Sequence, residues 1–305
     1  MSQIAFGTTA VSADAGREAL LLVRSLRAFG GALANEEFFV LTPEPLPAAL
    51  AAELAASAVH ILPLPVNEPL RRFPFAAKTI GAGILETAVS GSVPLVAWMD
   101  CDTFFLNEPA PFVLQAGQQV GFRPVDHTLI GSPATAPPDA FWSLIYAHCA
   151  VPEYRLTPMR TSVDQNVIRP YFNAGLIVTR PEEGILRAWS ERFANLHDEP
   201  SYLPFYDRSS LYHLFMHQAV LAAVILATLE TAQRHKLPRT VNYPLHMHAE
   251  MPEPLRAERL RDLVSVRYDT LKTPQAWAEQ IQIDEPLRSW LVEQSNTAVE
   301  LKVAH

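Results

Sequence analysis

Strand-like and helix-like patterns alternate four times before Met99 in this 305-residue chain, and few architectures accept that rhythm. Ile4 to Thr8 is a short apolar strand closing on Gly7, Thr8 and Thr9. Ser12 or Asp14 can then cap a helix through EALLLVRSLRAF, which Gly30-Gly31 stops. Glu37 to Leu41, Val59 to Leu62 and Leu95 to Met99 read as further strands, with helices over Pro47 to Ala56 and Lys78 to Val89. The fourth strand is dense in apolar residues, as a sheet covered on both faces requires. Parallel βαβ units satisfy the alternation and gather the carboxyl ends of the strands at one edge, where ligands bind.

That edge is where the fourth strand changes character. VPLVAWMDCDTFFLNEP runs apolar until Asp100 and Asp102. Two carboxylates at the lip of a buried strand repel each other and lose hydration, so a positive group is expected between them. In an extended segment residues i and i+2 share a side, which turns both carboxylates toward one ligand and Cys101 away. Carboxylate oxygens on one side of a hard cation, with water and phosphate filling the rest of its shell, present Mg²⁺ or Mn²⁺ to a nucleotide. The plainer alternative is that the two aspartates cap the following turn.

Beyond Pro109 the rhythm changes. Strands are expected at Val120 to Val125, Ala174 to Thr179 and Leu263 to Tyr268. Helices are expected at Phe141 to Cys149, Glu182 to Leu196, Leu211 to Glu230 and Pro286 to Gln294, with GSPATAPPDA a loop. The 26 prolines fall mostly in connections, and neither a repeat nor a clear linker divides the chain. One domain over 1–305 is expected: a nucleotide-binding half to about 110, an acceptor-side half to about 250, and a C-terminal extension over 251–305.

Composition narrows the function. With 49% apolar and 18% charged residues the chain can bury a sizeable core. A net charge of −8 argues against a nucleic-acid binder that works by neutralising phosphates. Cys101 and Cys149 offer neither a disulfide framework nor zinc spacing, so a reduced, cytoplasmic setting is expected. MSQIAFGTTAVSADAG lacks the pattern of a signal peptide, and AVLAAVILATLE from Ala219 is too short to span a bilayer, so a soluble protein is expected. No G-x-x-x-x-G-K-[ST] loop, no G-x-G-x-x-G after the first strand and no G-x-S-x-G elbow is present.

VAWMDCDTFFLNEP resembles the D-x-D region of nucleotide-sugar glycosyltransferases of the GT-A fold, in particular the glycogenin and galacturonosyltransferase-like retaining group. PYFNAGLIV resembles the F-N-A-G strand of that group, IAFGTTA its first strand and loop, LFMHQAVLAAVI its D-Q helix, and LPRTVNYPL its L-P-x-x-x-N element. The matches run in the family's order from Ile4 to Leu245.

The resemblance implies a mostly parallel GT-A-like α/β sheet flanked by helices, and transfer of a hexose from a nucleoside-diphosphate sugar to an acceptor hydroxyl with Mn²⁺ or Mg²⁺ and retention. It implies that Gly7, Thr8 and Thr9 contact the nucleoside and that Lys78 lies near the nucleotide or its phosphates. Asp100 would reach the ribose or the metal, with Asp102 the firmer metal ligand. Asn173 would touch the acceptor or the transferred sugar, and Gln218 would sit near the anomeric carbon.

Two positions depart from the family. His217 stands where the group has Asp, and Arg267-Tyr268 is the nearest counterpart of its late metal-binding His segment. His246 and His248, a same-side pair if extended, offer a substitute nitrogen ligand; otherwise Arg267 contacts phosphate directly. The rivals are a nucleotidyltransferase acting on sugar phosphates and a lapsed transferase that only binds nucleotide sugar.

Overall fold

The structure, a computed structural model, describes residues 2–268 and 281–295. Parts of the expected C-terminal extension, 269–280 and 296–305, lie outside the described residues. The first half of the chain alternates as expected: β1 (Ala5–Thr9), α1 (Ala13–Phe29), β2 (Phe38–Thr42), α2 (Ala48–Ala56), β3 (Val59–Pro63), a single turn α3 (Glu68–Arg71), α4 (Ala76–Val89) and β4 (Val96–Met99). Next come β5 (Thr103–Phe105), β6 (Val120–Pro124), α5 (Ala140–His148), the two-residue strands β7 (Met159–Arg160) and β8 (Val167–Ile168), and β9 (Phe172–Thr179). The chain continues through α6 (Ile185–Leu196), α7 (Leu203–Arg208), α8 (Ser210–Thr228), β10 (Arg234–Lys236), β11 (Tyr243–Pro244), β12 (Ser265–Arg267) and α9 (Leu287–Ser295).

Seven strands form one sheet in the order β10-β6-β9-β4-β1-β2-β3. β4, β1, β2 and β3 are mutually parallel, while β9 runs antiparallel between β4 and β6. The chain winds outward from β1 to β3 and then crosses to β4 on the other side of β1. In open α/β sheets such a reversal is where the ligand-binding crevice lies, and here it falls at the carboxyl ends of β1 and β4. Alternation along β4 explains its unbroken apolarity: Val96 and Trp98 pack under α4, α6 and α8, while Ala97 and Met99 pack under α1.

Helix α8, at 19 residues, is longer than the apolar window read from the sequence, and it is long and apolar enough to cross a membrane. In this fold 61% of an 18-residue stretch of the helix is buried, against β9 and α6 among others.

A second sheet, β11-β12-β5, pairs β12 antiparallel with β5 around Phe104, Tyr243, Val266 and Tyr268. This corrects the reading of Asp100 and Asp102 as an extended segment. They lie in a tight turn at Cys101–Asp102 that carries the chain from the large sheet into the small one.

The structure also corrects the start of α6, which begins at Ile185 instead of Glu182. Pro181–Glu183 forms a 3-10 turn, and the N-cap is Gly184, with φ of 67° and no side chain to satisfy the first amides. Glu86 of α4 does this from the neighbouring helix. Its Oε1 accepts from Leu186 N at 3.2 Å and its Oε2 from Arg187 N at 2.8 Å, in full burial. Glu86→Ala is therefore expected to cost about 2 kcal/mol in urea unfolding. Glu86→Gln, which keeps one acceptor oxygen, is expected to recover about half of that.

Candidate active site

The floor of the crevice is set by packing. A Cβ on Gly7 would lie 2.2 Å from Leu85 Cδ2, so the glycine lets α4 sit down on β1. Gly7 is thereby accounted for beneath the helix. Thr8 is fully buried with its Oγ1 unpartnered, and Thr9, at the strand end, keeps some exposure.

Across the crevice, Asp100 follows β4 directly, and its N–H donates to Gly175 O at 3.0 Å. Lys78, buried in the first turn of α4, puts Nζ 2.5 Å from Asp100 Oδ1. The Cys101 thiol turns the other way and donates to Glu18 Oε2 at 3.2 Å. Asp102 O accepts from Tyr268 N at 3.0 Å, which ties the turn to the end of β12. Burial first, and Asp100 second, push the Asp102 carboxyl up to about 7, against the pull of Arg267 and Lys78. The two aspartates therefore face each other electrostatically, as expected, although through a turn.

β9 begins two residues earlier than expected, which brings Asn173 into the strand that was expected to hold Gly175. Asn173 Nδ2 donates to Asp126 Oδ2 at 3.1 Å, and its Oδ1 accepts from Gly175 N at 2.8 Å. Gln218, on α8, accepts from Ala174 N at 2.9 Å through Oε1, which leaves its amide nitrogen as donor. Arg267 Nη2 meets the same Asp126 oxygen at 2.8 Å. Lys78, Asp100, Asp102, Asn173, Gln218 and Arg267 thus form one neighbourhood, and Asp126 joins it. Sequence reasoning passed over Asp126. The signal was there: GFRPVD, like VAWMD, is an apolar strand that ends in aspartate.

Gly175 has a steric duty. A Cβ there would lie 2.9 Å from both Asp100 Oδ2 and Asn173 Oδ1. Gly175→Ala is expected to move the Asp100 carboxylate and reduce turnover about tenfold or more, with far-ultraviolet circular dichroism unchanged.

The histidines do not present as a pair. Leu245–Glu250 folds into 3-10 turns instead of extending, so residues two apart do not share a side. His246 Nδ1 lies 3.2 Å from Arg267 O, whereas buried His248 has Nδ1 2.9 Å from Tyr243 OH. His217 is buried, and burial together with Lys78 drops it well below the ordinary imidazole value, so it is neutral. Its Nδ1 lies 3.0 Å from Leu214 O, a partner that assigns the proton to Nδ1 and leaves Nε2 as the acceptor.

Among the described residues no group of three or more His, Cys, Asp and Glu is arranged to hold a metal. Asp100 and Asp102 nonetheless fit a divalent ion. Burial first, and Asp100 second, disfavour the Asp102 carboxylate in this site, a cost that a bound cation would offset, and two carboxylates suffice where phosphate and water complete the shell.

The profile of the Rhodobacterales glycosyltransferase domain matches residues 10–228. The galactosyltransferase LgtC, solved with donor and acceptor sugar analogs, is 14% identical, with a TM-score of 0.51 over 99% of this chain and 97% of that one. An active-site mutant of LgtC gives 12% and 0.52 over 90% and 93%. Mouse xyloside xylosyltransferase 1 in its apo form gives 13% and 0.50 over 89% and 98%. At these identities the likeness establishes the fold, which is GT-A-like as the sequence led us to expect. No curated protein is a significant sequence match.

Proposed function

Starting from a chain that belongs to the Rhodobacterales glycosyltransferase domain family, and is a glycosyltransferase, we propose that it moves a hexose from a nucleoside-diphosphate sugar to an acceptor hydroxyl, with retention. The observation that carries this reading is the carboxyl edge of β1 and β4, where buried Lys78 pairs with Asp100 and partly buried Arg267, which also draws on Asp102, pairs with Asp126. LgtC, which shares the fold, has been solved with donor and acceptor sugar analogs.

In this reading Asp102 and Asp100 would hold Mn²⁺ or Mg²⁺, which would supply positive charge to the departing diphosphate. Lys78 and Arg267 face the same phosphates and add two fixed positive charges. Thr8 and Thr9 lie toward the nucleoside, with Gly7 shaping the strand beneath. Asn173 and Gln218 hydrogen-bond the sugar through neutral amides and, since neither titrates, position it without removing a proton. Asp126 holds Asn173 and Arg267 in register. The two histidines enter differently: His246 braces the Arg267 backbone, and His248 braces Tyr243. A cytoplasmic setting belongs to the same reading, supported by the two free cysteines.

The test is nucleoside-diphosphate release from a set of nucleotide sugars, with and without Mn²⁺, and with the anomer of the product read by NMR. Release from at least one donor that falls in EDTA is expected. Absence of both turnover and binding for every donor overturns the proposal. Binding without transfer to any hydroxyl, water included, leaves the lapsed binding protein instead.

A further inference from the structure

Phe75 stands immediately before α4 with φ of 62° and ψ of 9°, a left-handed conformation that glycine or asparagine adopts cheaply and a bulky residue does not. A phenylalanine held there is strained, and such strain gathers at functional sites. The ring is also 40% exposed. Phe73, two residues earlier, shows what a structural aromatic does in this segment, since it packs among Phe193, His197, Tyr206 and His213.

What Phe75 does touch belongs to the crevice. Its ring centroid is 4.7 Å from Lys78 Nζ, the group that pairs with Asp100, and 4.8 Å from the ring of His217. His217 in turn precedes Gln218 on α8. Phe75 therefore bridges the start of α4 and α8, in contact with Lys78 and His217 while part of its surface stays open. An aromatic platform beside a neutral imidazole acceptor and an ammonium donor suits a pyranose. Such a ring has an apolar C–H face for the aromatic and hydroxyls for the polar groups.

Resting on the function proposed above, we infer that Phe75 is an acceptor-binding residue, whose exposed ring stacks against the C–H face of the incoming pyranose. In the proposed function the diphosphate meets Lys78 and the carboxylates while the ring meets no phosphate, so nucleotide affinity depends little on the ring.

The experiment titrates a panel of methyl hexopyranosides, in the presence of Mn²⁺ and a nucleoside diphosphate, into wild type, Phe75→Tyr and Phe75→Asn. Binding is followed by saturation-transfer NMR. Asparagine tolerates the left-handed backbone, so Phe75→Asn removes the ring while relieving the strain, and its Tm is expected to be no lower than that of wild type. At least one pyranoside is expected to bind wild type and Phe75→Tyr alike and Phe75→Asn at least tenfold more weakly. Nucleoside-diphosphate affinity should stay within twofold in all three. The inference is overturned if no pyranoside binds wild type, if Phe75→Asn binds as well as wild type, or if nucleotide affinity falls with the ring. A wild type that binds no nucleoside diphosphate fails on the proposed function instead, which keeps the two outcomes apart.

Discussion

Asp102→Asn is expected to cut transfer by about 10²- to 10³-fold, and to leave the protein as stable as wild type or more so. The two halves of this result have one cause. Asp102 is pushed up to about 7 by burial and by Asp100, so its ionised form is held at a cost. A cation and a diphosphate repay that cost; an empty site does not. The neutral amide removes the repulsion, for a gain on the order of 1 kcal/mol, and with it the ligand that a divalent ion needs. Donor turnover and a thermal melt on the same preparation read both halves. An active Asp102→Asn, or an inactive one that has also lost stability, would make Asp102 a structural turn residue.

Arg267→Ala is expected to cost about 3 kcal/mol, and the loss should depend on pH. Arg267 meets Asp126 at 2.8 Å in a nearly closed environment, where burial already raises the aspartate and Arg267 is the largest influence opposing it. Without the guanidinium, the Asp126 carboxyl rises further. A carboxylate raised on folding stabilises the fold below its unfolded value, and that stability is lost as pH climbs through the folded value. The deficit should therefore be small near about pH 5 and large near about pH 8, read by urea unfolding at both. Adding Asp126→Asn to Arg267→Ala should recover most of the loss at the higher pH. A deficit equal at both pH values would mean that Arg267 stabilises by packing alone. Donor diphosphate affinity should fall in the single variant whatever the pH.

What the sequence made legible was local. The dense apolar run of β4, the capped and glycine-stopped helix pattern after β1 and the apolar face of α6 place four strands and their helices within a residue or three of where they lie. The meeting of Lys78, Asp100, Asn173 and Gln218 in one neighbourhood was also foreseeable, through the family resemblance. Long-range pairing was not. β5 is three residues whose partner strand lies near the other end of the described chain, with Ser265 opposite Phe105, so TFF gave no strand signal of its own. Asp126 escaped for the same reason, its partners Asn173 and Arg267 lying 47 and 141 positions away. His246 and His248 misled because their spacing pairs them only on an extended chain, and Pro244 leads instead into 3-10 turns. Phe75 ran against its own propensity, and a residue placed at a conformational cost cannot be read from preferences that disfavour it.

A crystal of the protein grown with Mn²⁺ and a nucleoside diphosphate tests the central claim most directly. The ion should lie between the Asp102 and Asp100 carboxylates, with the phosphates within reach of Lys78 and Arg267. An ion bound elsewhere, or a diphosphate that leaves both aspartates untouched, would contradict it.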